Sequence, residues 1–290
     1  MVIDNAENRE SDAQLALRAA RAGAEVVRAM YGASLPRFEK SAGDFATAAD
    51  LAAETAIVEV LRGARPDDAV TGEESGSTGA AGAHRRWLVD PLCGTLNYAV
   101  RNMLVGVNVA LRVGDEITAA ATADPFSGEV FWTDGDRARV RNMHGSADED
   151  AYGDADEDAY GDEELAPTPE SRLVDVNLDP PFPNAPGFRA VRLLADPGFA
   201  QRFRPRVVST TLAVAWVAAG RRAAYVTDGD LRDSVHFAAG IALCRAAGCV
   251  VTGIHGQPLH TGAGGLIVAA DDETHGALLS MIKGQLPHGS

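Results

Sequence analysis

The sequence Trp-Leu-Val-Asp-Pro-Leu-Cys-Gly-Thr-Leu-Asn at residues 87–97 joins an apolar run to a carboxylate and then to a turn of small residues. Residues 87–89 lack polar alternation, which is typical of a strand buried on both faces. Pro91 cannot donate a ladder hydrogen bond, so we expect Asp90 to lie at the end of this strand. The Gly-Thr pair at 94–95 follows, where a helix can begin and backbone N–H groups can bind an anion. A carboxylate facing an anion site predicts a metal ion between the two.

Composition and charge indicate a folded protein with a large core. The chain has 290 residues, 46% of them hydrophobic, which is enough for one large α/β domain or two lobes. The net charge of −15 argues against nucleic acid or an anionic membrane as the main partner, because both bind basic surfaces. The three cysteines show no framework spacing, and the N-terminus lacks the pattern of a signal peptide. We therefore expect a reduced protein in the cytoplasm.

An acidic tandem repeat lies in the middle of the chain. Residues 148–164 hold ten Asp or Glu residues and no Lys or Arg, so the rest of the chain carries a net charge of only about −5. The sequence of residues 148–154 recurs at 156–162 with an eight-residue period. Such a composition cannot bury enough apolar surface to order itself. We predict that residues 145–165 form a disordered insertion.

Hydrophobic periodicity predicts helices and strands through the remainder of the chain. Ser11 is a candidate N-cap for a first helix, and Asp50 would lie in the first turn of a second helix. Residues 105–132 predict a meander of antiparallel strands. No linker divides the chain, so we expect one domain of two packed lobes, residues 1–187 and 188–290. After a proline-rich connection at 165–187, we predict a strand at 207–209, a helix at 210–219, a strand at 223–227, a helix at 236–248, a strand at 265–270 and a helix at 273–282.

Several motifs occur in a fixed order along the chain. They are Gly72–Glu74, Asp90–Asn97 and Val235–Gly240, with supporting matches at Asp44–Asp50 and Cys249–Gly253. This order resembles that of the inositol monophosphatase family, the lithium-sensitive magnesium phosphatases related to fructose bisphosphatase. The resemblance covers nearly the whole chain. It implies an α/β fold, a five-layered αβαβα sandwich with the site between the lobes, and a homodimer.

The resemblance also implies roles in metal binding and water activation. Glu73, Asp90 and the Leu92 carbonyl resemble the ligands of a first metal ion, and their hard oxygen atoms suit Mg²⁺. Thr95 and Asp50 resemble the pair that orients and deprotonates the attacking water. Glu73 belongs with this catalytic pair because the ion that it holds activates the water. The implied chemistry is in-line displacement at phosphorus.

Substrate binding is assigned in the same way. The N–H groups of Gly94 and Thr95 resemble those that hold phosphate oxygens, and Ser209 lies in the region expected to contact the substrate. We expect hydrolysis of a small phosphorylated metabolite, an inositol, sugar or nucleoside phosphate. One alternative is a weakened or non-catalytic relative that binds a phosphorylated ligand. Another is a repurposed enzyme of a specialised biosynthetic pathway.

A second metal position departs from the family pattern. The family uses three aspartates there, whereas this chain has Asp90, Cys93 and His236. Such a donor set favours a softer ion such as Zn²⁺ or Mn²⁺ over Mg²⁺. A vacant or weakened second site and a thiol role for Cys93 stay open as alternatives. A shifted register would instead bring in Asp230 or Asp233 as the missing carboxylate.

Overall fold

The computed structural model describes most of the chain as helices and strands. The described residues are 10–41, 44–143, 161–178, 190–229, 231, 234–262 and 264–285. In chain order the elements are α1 (Asp12–Met30), β1 (Arg37–Ser41), β2 (Asp44–Thr47), α2 (Ala48–Ala64), β3 (Ala69–Gly72), β4 (Gly76–Thr78), β5 (Arg85–Cys93), α3 (Thr95–Ala99), β6 (Gly106–Val113), β7 (Glu116–Ala123), β8 (Glu129–Thr133), β9 (Ala138–Asn142), β10 (Glu163–Glu164), β11 (Leu173–Val176), α4 (Val191–Leu194), α5 (Pro197–Arg202), β12 (Arg204–Val207), α6 (Leu212–Ala218), β13 (Ala224–Thr227), α7 (Ala238–Ala246), β14 (Val250–Thr252), β15 (Leu266–Ala269) and α8 (Asp272–Gly284).

The outer helical layer of the first lobe consists of α1 and α2, which pack on each other and on one face of the first sheet. The Ser11 hydroxyl accepts a hydrogen bond from the Gln14 N–H at 3.2 Å, so the predicted N-cap of α1 is confirmed. Alanines fill much of the buried face of both helices. Their small side chains allow the two helices to approach the sheet and each other closely.

The first sheet has eight strands in the order β10-β9-β8-β7-β6-β5-β3-β4. Consecutive strands from β5 to β9 pair antiparallel with one another, so the predicted meander is confirmed, and β5 pairs parallel with β3 on its other side. The expectation that Pro91 ends the strand is wrong, because β5 continues to Cys93. Its register against β6 shifts between Asp90 and Cys93. A bulge accommodates an extra residue and the missing N–H of proline, and it bends the strand at this point.

The remaining layers complete the sandwich. Helices α6 and α7 pack between the first sheet and a second sheet of five strands in the order β12-β11-β13-β15-β14. On the far side of the second sheet, α8 packs against β15 and α5 packs against β12 and α8. Helices and sheets therefore alternate in five layers, and the predicted αβαβα fold is confirmed. No helix within the described ranges has the length and apolar character needed to cross a membrane.

Several predicted boundaries require correction. The connection predicted at 165–187 contains β11, a buried strand that pairs with both β12 and β13. The strand predicted at 207–209 is β12, which ends at Val207. Residues 161–165 are not a disordered segment, because β10 pairs with β9 and Asp162 accepts two hydrogen bonds from Arg141, each 2.7 Å long. The rest of the predicted insertion, 145–160, lies outside the described residues.

Candidate active site

The site is organised around the end of β5 and the short helix α3. Gly94 joins them with a φ of 104°, a conformation that an L-residue with a side chain rarely adopts. A Cβ at this position would also lie 3.0 Å from the Leu104 carbonyl oxygen. The first helical bond of α3 runs from the Tyr98 N–H to the Gly94 carbonyl at 3.0 Å. The predicted helix start after the strand is therefore confirmed, with glycine required at the turn.

Asp50 and Thr95 form a hydrogen-bonded pair. The Thr95 hydroxyl donates to Asp50 Oδ1 at 2.8 Å and lies 3.2 Å from the Leu92 carbonyl oxygen. Asp50 is fully buried, and its Oδ2 accepts from the Thr47 N–H at 2.8 Å and the Thr47 hydroxyl at 2.6 Å. These bonds form a capping box at the start of α2. Burial raises the pKa of Asp50, although the hydrogen bonds from Thr47 and Thr95 oppose the increase.

Glu73 follows β3, and its carboxylate faces Lys40 on one side and His236 on the other. Its Oε1 accepts from Lys40 Nζ at 2.8 Å, and the same ammonium donates to Glu74 at 2.6 Å. Its Oε2 is buried without a hydrogen-bond partner and lies 3.9 Å from His236 Nδ1. Burial and the nearby charge of Asp90 raise the pKa of Glu73 to about 8. The two carboxylates therefore lie close enough to repel each other when both are ionised.

Asp90 is the most enclosed carboxylate of the cluster. Its side chain is fully buried, with Oδ2 2.8 Å from His236 Nδ1 and 3.4 Å from Asn108 Nδ2. The Leu92 N–H donates to Oδ1 at 3.2 Å, which fixes the carboxylate against its own strand. Burial by itself would raise the pKa of Asp90, but the charge and hydrogen bond of His236 lower it below its ordinary value.

Cys93 and His236 complete the cluster from opposite sides. The Thr211 N–H, just before α6, donates to Cys93 Sγ at 3.3 Å, and burial raises the pKa of the thiol. His236 lies in the turn that precedes α7 rather than on the predicted helix itself, and its side chain is 30% exposed. Although burial acts to lower it, the pKa of His236 is raised well above its ordinary value by Asp90. Donor atoms of Asp90, Cys93 and His236 all lie within 4.8 Å of one another.

Ser209 lies close to α3, on the segment between β12 and α6. Its carbonyl oxygen accepts a hydrogen bond from Asn97 Nδ2 at 2.9 Å, and the same amide nitrogen donates to the Leu104 carbonyl at 2.9 Å. The segment before α6 is thereby tied to α3. The alternative ligands Asp230 and Asp233 lie outside the described residues.

Two residues of the site, Lys40 and Asn108, carry no motif that the sequence analysis predicted. Lys40 comes from the exposed hairpin of β1 and β2, where no pattern marked it. Asn108 is buried within β6, where a polar residue inside an apolar run was an available signal. It donates to the Thr211 hydroxyl at 2.9 Å and accepts from Thr122 at 2.9 Å. Asn108 thus connects Asp90 to Thr211, whose backbone N–H donates to the Cys93 sulfur.

The two halves of the cluster differ in the metal that they fit. Glu73, Asp90 and the Leu92 carbonyl offer hard oxygen atoms, and the buried, unpartnered Glu73 Oε2 is suited to a cation. This set fits Mg²⁺. At the second position, Cys93 and His236 supply sulfur and nitrogen, which Mg²⁺ disfavours. The second Mg²⁺ that the resemblance implies therefore does not fit these residues.

Comparison with known proteins agrees with this fold and motif order. A model of the inositol monophosphatase family matches residues 8–285. The extragenic suppressor protein suhB from Bartonella henselae, a solved structure, superposes with a TM-score of 0.74 and 22% sequence identity, over 93% of this chain and 97% of that one.

Two curated relatives differ in how much of the chain they match. The Nus factor SuhB of Pasteurella multocida is 30% identical over 88% of this chain and 90% of that protein. A glucose-1-phosphate thymidylyltransferase of Streptomyces griseus is 35% identical. That match covers 47% of this chain and 52% of the relative's length. The family match extends over almost the whole chain and includes every element that builds the site. The chain belongs to the inositol monophosphatase family.

Proposed function

We propose that the protein hydrolyses the monophosphate ester of a small metabolite, such as an inositol, sugar or nucleoside phosphate. The observation that carries the proposal is the 2.8 Å hydrogen bond from Thr95 to the buried Asp50; the same hydroxyl lies 3.2 Å from the Leu92 carbonyl, on the strand that carries Asp90. A hydroxyl that contacts both a buried base and a carbonyl suited to a cation is well placed to activate water at that cation.

The proton path runs from water through Thr95 to Asp50. The Thr95 hydroxyl proton points to Asp50, so the oxygen keeps lone pairs that accept a proton from the attacking water. As the water oxygen bonds to phosphorus, its proton moves to Thr95 and the Thr95 proton moves to Asp50. The phosphorus–oxygen ester bond breaks and the leaving oxygen takes a proton from solvent. The raised pKa of Asp50 makes its carboxylate a stronger base for this step.

The same turn would hold the phosphate. The N–H groups of Gly94 and Thr95 open α3, where the first backbone donors of a helix lack intrahelical partners. Ser209, tied to α3 through Asn97, would border the rest of the substrate. Glu73, Asp90 and the Leu92 carbonyl would hold Mg²⁺, which supplies charge neutralisation and lowers the pKa of bound water.

The test is phosphate release by the purified full chain. We expect inorganic phosphate from at least one member of a panel of inositol, sugar and nucleoside monophosphates, assayed with Mg²⁺, Mn²⁺ and Zn²⁺ in turn. Omission of divalent ions should stop the release. If no substrate releases phosphate with any ion, the proposal is wrong.

A second candidate is a non-catalytic relative that binds a phosphorylated ligand. It is favoured by Lys40, which pairs with Glu73, and by Cys93 and His236 at the second metal position. The family includes a relative named as a Nus factor, so its members are not all named for phosphatase activity. Calorimetry separates the two candidates, because tight ligand binding without metal dependence or phosphate release supports the second.

Oligomeric state and location complete the proposal. We expect a homodimer in the cytoplasm, as the family resemblance and the unpaired cysteines suggest. Light scattering of the purified chain would test the dimer, and a monomeric mass at micromolar concentration would contradict it.

A further inference from the structure

The disagreement at the second metal position has a specific chemistry. Two of the three donors, Cys93 and His236, replace hard oxygen with sulfur and nitrogen, and the third is the buried Asp90. One carboxylate, one thiolate and one imidazole match the donors that Zn²⁺ and related transition ions take in proteins. Three protein ligands with an open fourth position are typical of a site that also binds water or substrate.

The structure holds two of the donors rigidly. Asp90 lies within β5, with hydrogen bonds from the Leu92 N–H and Asn108, and Cys93 ends the same strand with its sulfur fixed by the Thr211 N–H. Both donors therefore come from the sheet, which gives a precise metal site a stable base.

The third donor can adjust. His236 lies in a turn and is 30% exposed, and its Nδ1 is now 2.8 Å from Asp90 Oδ2. Donor atoms around a tetrahedral Zn²⁺ are separated by about 3.3–3.8 Å, given metal–ligand distances of about 2.0–2.3 Å. A small outward rotation of the imidazole would open this space. The exposed side of the ring leaves the fourth position accessible to solvent.

We propose that Asp90, Cys93 and His236 form a binding site for a transition-metal ion of the Zn²⁺ class in place of a second Mg²⁺. On binding, the Cys93 thiol and the His236 imidazolium each release a proton to solvent, the sulfur bonds to the ion, and the neutral imidazole nitrogen and a carboxylate oxygen of Asp90 supply the other protein ligands. The ion's part in catalysis rests on the proposed function. Binding itself does not.

The experiment titrates the metal-free full chain with Co²⁺ and follows the absorption spectrum. Cobalt bound to a thiolate shows a ligand-to-metal charge-transfer band in the near ultraviolet, which oxygen ligands do not give. We expect one equivalent to produce the band, Zn²⁺ to abolish it by displacement, and equimolar Mg²⁺ to leave it unchanged. Cys93→Ser should remove the band, and His236→Ala should weaken Co²⁺ binding at least about tenfold.

The matched control is Cys249→Ala, a buried thiol outside the cluster, and this variant should keep the full band. Circular dichroism checks that each variant is folded. Absence of the band in the parent chain, or its persistence in Cys93→Ser, overturns the proposal. Phosphate release is measured separately with Mg²⁺ alone. A band without phosphate release on any substrate contradicts the proposed function and supports the metal site. Phosphate release without a band supports the proposed function and contradicts the metal site.

Discussion

The two halves of the site are built in different ways. The oxygen half consists of Asp50, Thr95 and Glu73. The capping box of α2 holds Asp50, the turn into α3 carries Thr95, and Lys40 donates to Glu73 after β3. The mixed half, made of Cys93 and His236, forms where the first sheet meets the segments before α6 and α7. The proposed water activation would thus depend on local structure, whereas the choice of the proposed second cation would depend on how β5 meets the segments before α6 and α7.

Asp90 belongs to both halves, so its substitution should have the largest effect. Asp90→Asn removes the carboxylate charge that acts on both Glu73 and His236. We therefore expect phosphate release to fall to background. The measurement is steady-state phosphate release with Mg²⁺. Asp115→Asn, at an exposed turn, is the control and should keep full activity. Measurable turnover close to that of the parent would show that the halves do not share a cation-binding carboxylate.

Thr95→Ala tests the oxygen half alone. Loss of the hydroxyl interrupts the proton path to Asp50, and we expect kcat to fall by about 10²- to 10⁴-fold. Thr95→Ser keeps a hydroxyl and should recover most of the activity. An equal loss in both variants would indicate that Thr95 acts by packing and not by proton transfer. Co²⁺ binding at the mixed half should stay unchanged in both.

Restoring carboxylates to the mixed half tests it in turn. The double variant Cys93→Asp with His236→Asp supplies three aspartates around the second position, and we expect Mg²⁺-dependent phosphate release to rise about tenfold. The half-saturating concentration of Mg²⁺ should fall, while stimulation by Zn²⁺ is lost. An unchanged order of metal preference would show that these two positions are not ligands.

The pH dependence of stability distinguishes the halves without any substrate. The pKa of Glu73 rises from 4.5 to about 8 in the metal-free protein. Between these pH values the folded state keeps a proton that the unfolded state has released, so this group makes stability fall as pH rises. Glu73→Gln removes the effect. We expect the free energy of unfolding of the parent to fall relative to that of Glu73→Gln as the pH rises from 5 to 8.

Urea unfolding in the presence of a chelator measures this difference at each pH. Glu116→Gln, at the exposed start of β7, is the matched control and should follow the parent at every pH. A constant difference between the parent and Glu73→Gln would mean that Glu73 is ionised throughout, and that repulsion with Asp90 is not stored in the metal-free fold.

The local geometry of the oxygen half is easier to predict from sequence than that of the mixed half, for a physical reason. Asp50, Gly94 and Thr95 act within a few residues of a helix start, and local caps and turns leave a pattern in sequence. Lys40 in β1 contacts Glu73, which is 33 residues away in the sequence, and such a contact has no local pattern. The change at Cys93 and His236 was visible as residue types. Their proximity in space depends on how two distant segments of the chain pack together, which no local pattern predicts.

The fold was predicted in class and missed in detail where strands are short. The hairpin of β1 and β2 is exposed along β1, so no apolar alternation marked it. Strand β11 has four residues and is flanked by a proline-rich segment, which favoured a connection over a strand. Pairing with β12 and β13 stabilises it from both sides. Tertiary contacts, rather than local preference, therefore decide these elements.

The close approach of α6 and α7 supports the turn that carries His236, and it provides the smallest expected effect. A Cβ at Gly240 in α7 would lie 2.9 Å from Val214 in α6, so Gly240→Ala should lower the free energy of unfolding by about 1–3 kcal/mol. Gly276→Ala in α8 meets no atom within 4 Å and should raise it by up to about 1 kcal/mol, because alanine favours a helix. Urea unfolding measures both. The mixed half should also bind Co²⁺ more weakly in Gly240→Ala, since α7 begins two residues after His236. If the two alanine variants prove equally stable and bind Co²⁺ alike, the packing of α7 on α6 does not position the imidazole.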